Sequence, residues 1–155
     1  MAKRNLQEIV EENVKVLKLL NEASVRTLTT KELKQLSEYP GFFGCEELFD
    51  PENEQTSELR EQVRELISLK AYQQVKVAPM QAHLSEDVVK LIYEKLQDFG
   101  IDDAKIFIPG SGIGTLMKAP RVLAPWISFT GIEMNPVDAN VCSLVYPTAD
   151  IQNTA

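Results

Sequence analysis

Ile106-Phe-Ile-Pro-Gly-Ser-Gly-Ile-Gly114 is a short apolar run that breaks into a turn carrying three glycines. Nineteen residues past the last glycine, Glu133 closes a second apolar run, Trp126-Ile-Ser-Phe-Thr-Gly-Ile-Glu133. Strand, glycine turn, helix start, second strand and an acid at the strand tip is the order in which a nucleotide-binding fold opens, the acid being placed to take a ribose hydroxyl. Gly110, Gly112 and Gly114 let the backbone turn tightly and approach a ligand, and the helix start behind them is expected to offer free N–H groups. Pro120 and Pro125 keep that helix to about one turn around Leu116.

Downstream, Pro136 opens a helix with Val137, Val141, Leu144 and Val145 on its apolar side, and Ala149-Asp-Ile-Gln152 is left as a third short strand. The order βαβαβ predicts a parallel three-stranded sheet with right-handed crossovers and the first strand at an edge. Such an edge must be protected, by the N-terminal helices or by another chain, and pairing of strand 105–108 with a second copy would make a homodimer.

Upstream the chain reads as helical. Leu6, Ile9, Val10, Val14, Leu17 and Leu20 recur at helical spacing over residues 5–22. Thr29 and Thr30 cap a short helix through Leu36, which Tyr39-Pro-Gly41 ends. Residues 57–74 read as one further helix. Ser85 caps another over 86–98, with Glu86 and Asp87 in its first turn and Gly100 after its end. The loop at 39–51 holds Phe42, Phe43 and Phe49, too much aromatic surface for a solvated linker, and is expected to plug the junction between two parts of one compact unit, residues 1–80 and 81–155.

Composition excludes several functions. The chain has 155 residues, 44% hydrophobic and 25% charged, with a net charge of -7. A nucleic-acid binder working by electrostatics would carry a basic field, so direct nucleic-acid binding is not expected, whereas a protein or nucleoprotein partner with a basic surface fits. Cys45 and Cys142 are far apart and His83 is the only histidine, so no metal site is expected. No apolar run reaches the roughly 20 residues of a membrane span, which points to a cytoplasmic protein with reduced thiols. Lys118 and Arg121 flank the glycine turn as candidate phosphate contacts; Trp126, Phe42 and Phe43 are better read as core than as base-stacking platforms.

Taken in order, Leu17-Lys-Leu-Leu20, Thr29-Thr-Lys-Glu-Leu-Lys-Gln-Leu36, Tyr39-Pro-Gly-Phe-Phe-Gly44, Leu48-Phe-Asp-Pro51, Gln81-Ala-His-Leu-Ser85, the glycine turn and Gly131-Ile-Glu133 resemble the amino-terminal region of the large adenine-specific DNA methylase and helicase proteins of conjugative plasmids and related mobile elements. The resemblance implies a methyltransferase-type, Rossmann-like sheet under an N-terminal helical region, truncated after its third strand, and S-adenosylmethionine as the ancestral cofactor. It assigns cofactor contacts to His83 and Ser85, to Gly110, Gly112 and Gly114, and to Glu133 as the ribose acid. It also exposes departures: Leu84 stands where an aromatic is expected, Ile108 where an acid should face the cofactor's amino group, and the motif that grips the target adenine is absent. No catalytic residue is therefore assigned, and cofactor binding is expected to be weak or absent.

Three functions follow. The first is a non-catalytic interaction protein of a mobile element, acting on a host restriction or CRISPR effector through that effector's basic surface. The second is the S-adenosylmethionine-binding portion of a split N6-adenine DNA methyltransferase, and the third a DNA-recognition accessory module.

Overall fold

The computed structural model describes residues 5–77, 84–101, 103–118 and 127–154. His83, Trp126 and Arg121, together with Pro120 and Pro125, lie outside the described residues. The chain divides into two units, Met1–Ala82 and His83–Ala155. Among the described residues no helix is long and apolar enough to cross a membrane.

The first unit is helical. Helix α1 (Leu6–Ala23) starts at Asn5, whose side chain accepts from the Gln7 N–H, and buries Val10, Val14, Val16, Leu17 and Leu20. Asn13 sits in the same buried stripe, its Nδ2 donating to the Gly41 carbonyl at 2.7 Å, which ties the helix to a turn 28 residues away. Helix α2 (Thr30–Ser37) opens with a full capping box: Thr29 Oγ1 accepts from the Glu32 N–H while the Glu32 carboxylate accepts from the Thr29 N–H. The 39–51 segment folds into the unit's own interior. Phe42 is 1% exposed and stacks edge-on against Tyr39 and Phe49, and Phe49 against Tyr72, with centroids 5.5 to 6.5 Å apart. The aromatic loop thus supplies Tyr39, Phe42 and Phe49 to the core of the helical unit, the chain turning back at Gly41 (φ 65°) and carrying Phe42 inward.

Helix α3 (Glu46–Phe49) and a 3₁₀ turn (Glu54–Thr56) lead into α4 (Ser57–Leu66), which packs against α1. The single helix expected over 57–74 is two helices. Ile67 is extended (φ -132°, ψ 155°), and the Ser68 hydroxyl accepts from the Ala71 N–H, starting α5 (Leu69–Val77).

In the second unit, α6 (Glu86–Asp98) has the expected limits: Ser85 Oγ accepts from the Val88 N–H, and Gly100 (φ 73°) ends the helix with its N–H on the Gln97 carbonyl and that of Ile101 on the Leu96 carbonyl. Strands β1 (Lys105–Pro109), β2 (Ser128–Glu133) and β3 (Asp150–Asn153) form one parallel sheet in the order β1-β2-β3, with helix α7 (Pro136–Val145) between β2 and β3. Ile108 is level with Gly131, and Gly131 with Ile151. The fold is α/β, a helical N-terminal region followed by a Rossmann-like parallel sheet.

Strand alternation then sorts the sheet into two faces. Ile106, Ile108, Phe129, Gly131, Glu133 and Ile151 share one face, where Ile106 and Phe129 pack against a cluster of Val89 and Tyr93 from α6 with Ile127, and α7 covers β2 and β3. Lys105, Phe107, Ser128, Thr130, Asp150 and Gln152 share the other. Phe107 is 58% exposed there, and Ser128, Asp150 and Gln152 are exposed. A parallel sheet covered on both faces would carry apolar residues at all these positions, so this one has a solvated, largely polar second face. No backbone hydrogen bond among the described residues reaches the outer edge of β1.

The aromatic chain makes a quantitative claim. Phe42→Ala should cost about 3–5 kcal/mol, whereas Phe43→Ala, at a side chain 52% exposed, should cost less than about 1 kcal/mol, in chemical denaturation.

Candidate functional site

The three strands end side by side. The glycine turn follows β1, Glu133 ends β2 and Asn153 ends β3, which is where parallel α/β sheets hold their ligands. All three glycines of the turn are left-handed, Gly110 at φ 72°, Gly112 at 53° and Gly114 at 85°, which accounts for their residue type.

The turn's amides, however, are largely spent on the protein. Gly110 and Ser111 both donate to the Ile132 carbonyl, at 2.8 and 3.0 Å, and Gly114 donates to the Ser111 carbonyl at 2.9 Å. Gly112 donates to Glu133 Oε2 at 2.8 Å. The helix start expected to present free N–H groups is a single 3₁₀ turn, Thr115–Met117, whose Met117 N–H returns to the Gly114 carbonyl. Positive φ at alternate residues curls the chain back on the tip of β2, so the N–H groups meet β2 rather than a crevice.

Glu133 is 7% exposed. Its second oxygen, Oε1, accepts from the Asn135 N–H at 2.8 Å, so one carboxylate joins the glycine turn to the start of α7. Asn153 completes the junction, its Nδ2 donating to the Glu133 carbonyl at 2.8 Å and to that of Met134 at 3.1 Å. Beneath the turn, Gly114 sits on Tyr146 and Cys142: a Cβ there would lie 2.6 Å from Tyr146 Cε2 and 2.8 Å from Cys142 Sγ. Gly131 does the same for Ser111, whose Cβ would stand 2.9 Å from an added one. Ser111 is 7% exposed, its hydroxyl beside the Cys142 thiol and without a polar N or O partner among the described residues.

A second acid lies in this junction. Asp138, in the first turn of α7, is 6% exposed. Burial, and then the neighbouring charge of Glu133, push its carboxyl up to about 7, against a smaller opposing effect from the Asn135 side chain. Because the folded state holds a proton that the unfolded chain has released by about pH 4, this group's contribution to stability falls as pH rises through that interval, and its full cost is present above about 7. Burial likewise raises the Cys45 and Cys142 thiols to about 11, leaving both protonated and unreactive near neutrality.

The remaining candidates fall outside the junction or outside the described residues. Ser85 is exposed and serves as the cap of α6. Lys118 is paired with Glu86, which brings the start of α6 beside the 3₁₀ turn and occupies the cation that was a candidate phosphate contact. His83 and Arg121 are not among the described residues. Of the sequence candidates, the structure therefore joins Gly110, Gly112, Gly114 and Glu133. Ser111, Asp138, Cys142, Tyr146 and Asn153 belong with them and were missed. One signal could have found Asp138: Asn135 and Asp138 stand in the N-cap and N3 spacing of a capping box.

No protein-family model and no curated protein matches the chain. Among solved structures, 94% of the chain aligns with 52% of a Listeria monocytogenes protein assigned as a class I S-adenosylmethionine-dependent methyltransferase, at 14% identity and a TM-score of 0.35. The chain thus spans about half the length of that protein. An overlap this loose carries no argument, and the fold rests on the strand order described above.

The two glycines give opposite expectations. Gly114→Ala adds a methyl into Tyr146 at a left-handed residue and should cost about 2–4 kcal/mol, whereas Gly112→Ala, with nothing within 4 Å of the added carbon, should cost about 1 kcal/mol. Denaturant titration of both variants reads the difference.

Proposed function

We propose that this chain is a non-catalytic, methyltransferase-derived interaction protein whose glycine turn serves as scaffold. The observation that carries this is Glu133: both of its oxygens already accept main-chain N–H groups, from Gly112 and Asn135. One lone pair on each oxygen is thereby committed to holding the turn against β2, so the acid already has a structural use.

The residues do not fit a tight S-adenosylmethionine site. Where the resemblance expects an acid for the cofactor's amino group stands Ile108, 5% exposed on the helix-covered face. A charge-assisted hydrogen bond of that kind contributes about 1.5–3 kcal/mol, or roughly ten- to a hundred-fold in affinity. No methyl-transfer step is assigned to this chain.

For the partner we favour a basic, nucleic-acid-handling protein, of the restriction or CRISPR type that a mobile element would meet. The support is where the charge lies: residues 46–65, through α3, the 3₁₀ turn and α4, carry eight exposed carboxylates against Arg60 and Arg64. Arg60 is turned onto the carbonyls of Leu48 and Asp50, and Arg64 onto Glu61, so the outward surface of this segment is acidic. For the open edge of β1 the occupant we favour is a second copy of the chain.

A second reading, a cofactor-binding portion of a split N6-adenine methyltransferase, is favoured by one feature: the buried Ser111 hydroxyl in Glu133's turn, which has no N or O partner among the described residues. Titration calorimetry with S-adenosylmethionine separates the two. The scaffold reading expects no binding stronger than about 1 mM. Binding in the low micromolar range that Glu133→Gln abolishes would overturn it in favour of the split enzyme.

A further inference from the structure

We propose that two copies of the chain join through β1 about a two-fold axis at Phe107, so that the sheet continues from one copy into the other and the apolar flanks of the two α6 helices meet beside it. This rests on the reading that a second copy takes the β1 edge, and it states the register and the helix face by which it does so.

The parity of the β1 hydrogen bonds sets the geometry. The Ala104 carbonyl accepts from the Ser128 N–H at 3.0 Å and Gly110 donates to the Ile132 carbonyl at 2.8 Å, so the even-numbered residues turn their main-chain groups to β2. Lys105, Phe107 and Pro109 turn theirs outward, where β1 has no second neighbour among the described residues. A strand that pairs with a copy of itself about an axis normal to the sheet runs antiparallel to it. With residues 105–109 fully overlapped, Phe107 lies opposite its counterpart and the two exchange both bonds, N–H to C=O in each direction. The Lys105 N–H of each copy then donates to the Pro109 carbonyl of the other. Only the Lys105 carbonyl is left over, because the N–H it would need is the one proline lacks. A slip of one residue sets Phe107 against Lys105 or Pro109 and leaves part of the strand overhanging.

The side chains suit the same register. Phe107, 58% exposed, comes to lie beside its counterpart at the cross-strand spacing that aromatic pairs favour, and Lys105 faces Pro109, so no like charges stand opposite each other.

Helix α6 supplies the second half of the interface. Val89 and Tyr93 turn it toward the sheet. Glu86 pairs with Lys118 beside the 3₁₀ turn, and Met117 of that turn meets Cys142 of α7, so the Glu86 flank of α6 faces α7. At 3.6 residues per turn, Leu84, Val88, Leu91, Ile92 and Phe99 share the opposite flank, on the side of the free β1 edge. These five are 37% to 79% exposed. An axis normal to the sheet keeps both α6 helices on one face, one to either side of it, flank to flank. Together with Phe107 the stripe exposes on the order of 500 Å² per copy, so pairing buries on the order of 1,000 Å² in all, where specific interfaces begin. A strand lent by an unrelated protein would satisfy the edge and leave the α6 flank bare; a two-fold copy covers both.

Sedimentation velocity of the whole chain between about 5 and about 500 μM reads the assembly, with circular dichroism to check that each variant is folded. The native chain should sediment at twice 17.4 kDa. Phe107→Glu sets two carboxylates opposite each other and Leu91→Glu puts charge into the helix seam, and each should weaken association at least about tenfold. With oxidised glutathione, Phe107→Cys should be trapped as a covalent dimer, since opposed Cα atoms lie about 5.5 Å apart, within disulfide reach. Lys105→Cys should not be trapped, its counterparts standing roughly 14 Å apart. A monomer at every concentration, or a dimer indifferent to Phe107→Glu, would overturn both this proposal and the second-copy reading. A dimer that Phe107→Glu dissociates, but that yields no Phe107→Cys cross-link or is untouched by Leu91→Glu, keeps a second copy at the edge and overturns the two-fold arrangement.

Discussion

The second unit depends on one carboxylate that accepts two main-chain N–H groups from different directions. Glu133 ends β2 at the point where the chain must do two things at once: receive the glycine turn arriving from β1 and launch α7 through Asn135. A buried carboxylate is costly to desolvate unless it accepts hydrogen bonds, and here Gly112 and Asn135 each donate one from 2.8 Å. Everything near it follows. Three left-handed glycines let the turn double back far enough to reach Glu133; Gly114 and Gly131 are bare so that Tyr146, Cys142 and Ser111 can close the space beneath; Asn153 ties the end of β3 to the same corner.

That arrangement resembles a nucleotide site in outline and differs from one in its use of donors. A turn that binds phosphate points its amides at the ligand; this one spends those of Gly110, Ser111, Gly112 and Gly114 on the protein. The sheet is consistent with such economy. Its one covered face takes α6 and α7, and its other face is wet at Ser128, Asp150 and Gln152, so three short strands hold together by a single apolar layer. Asp138 is the exception to the economy, a second acid in a corner that already holds one, and its burial makes the corner sensitive to pH.

Much of the fold was legible because local signals agreed with the tertiary outcome. Ser85, Glu86, Asp87 and Gly100 fix α6 at both ends, and the βαβαβ order follows from apolar runs separated by glycine and proline. The break at Ile67 was not legible: apolar residues continue at helical spacing through it, and only the competition of Ser68 for the Ala71 N–H ends the pattern. Asn13 was hidden for a similar reason, a polar residue in an apolar stripe whose partner, Gly41, is 28 residues away. At the site the glycines and Glu133 were visible by type and spacing, but not what their hydrogen bonds would be spent on. The destination of an N–H is a property of the folded corner, and no periodicity encodes it.

The central claim is that Glu133 is structural, and its removal measures that most directly. Acids retained for ligands are commonly neutral or costly to stability, so replacing one leaves the protein as stable or more so. Denaturant unfolding of Glu133→Ala at about pH 5.5, where Asp138 holds its proton, should show a loss of about 2–4 kcal/mol, as two main-chain donors lose a charged acceptor. Unchanged or increased stability would contradict the account and return Glu133 to the role of a ligand-binding acid.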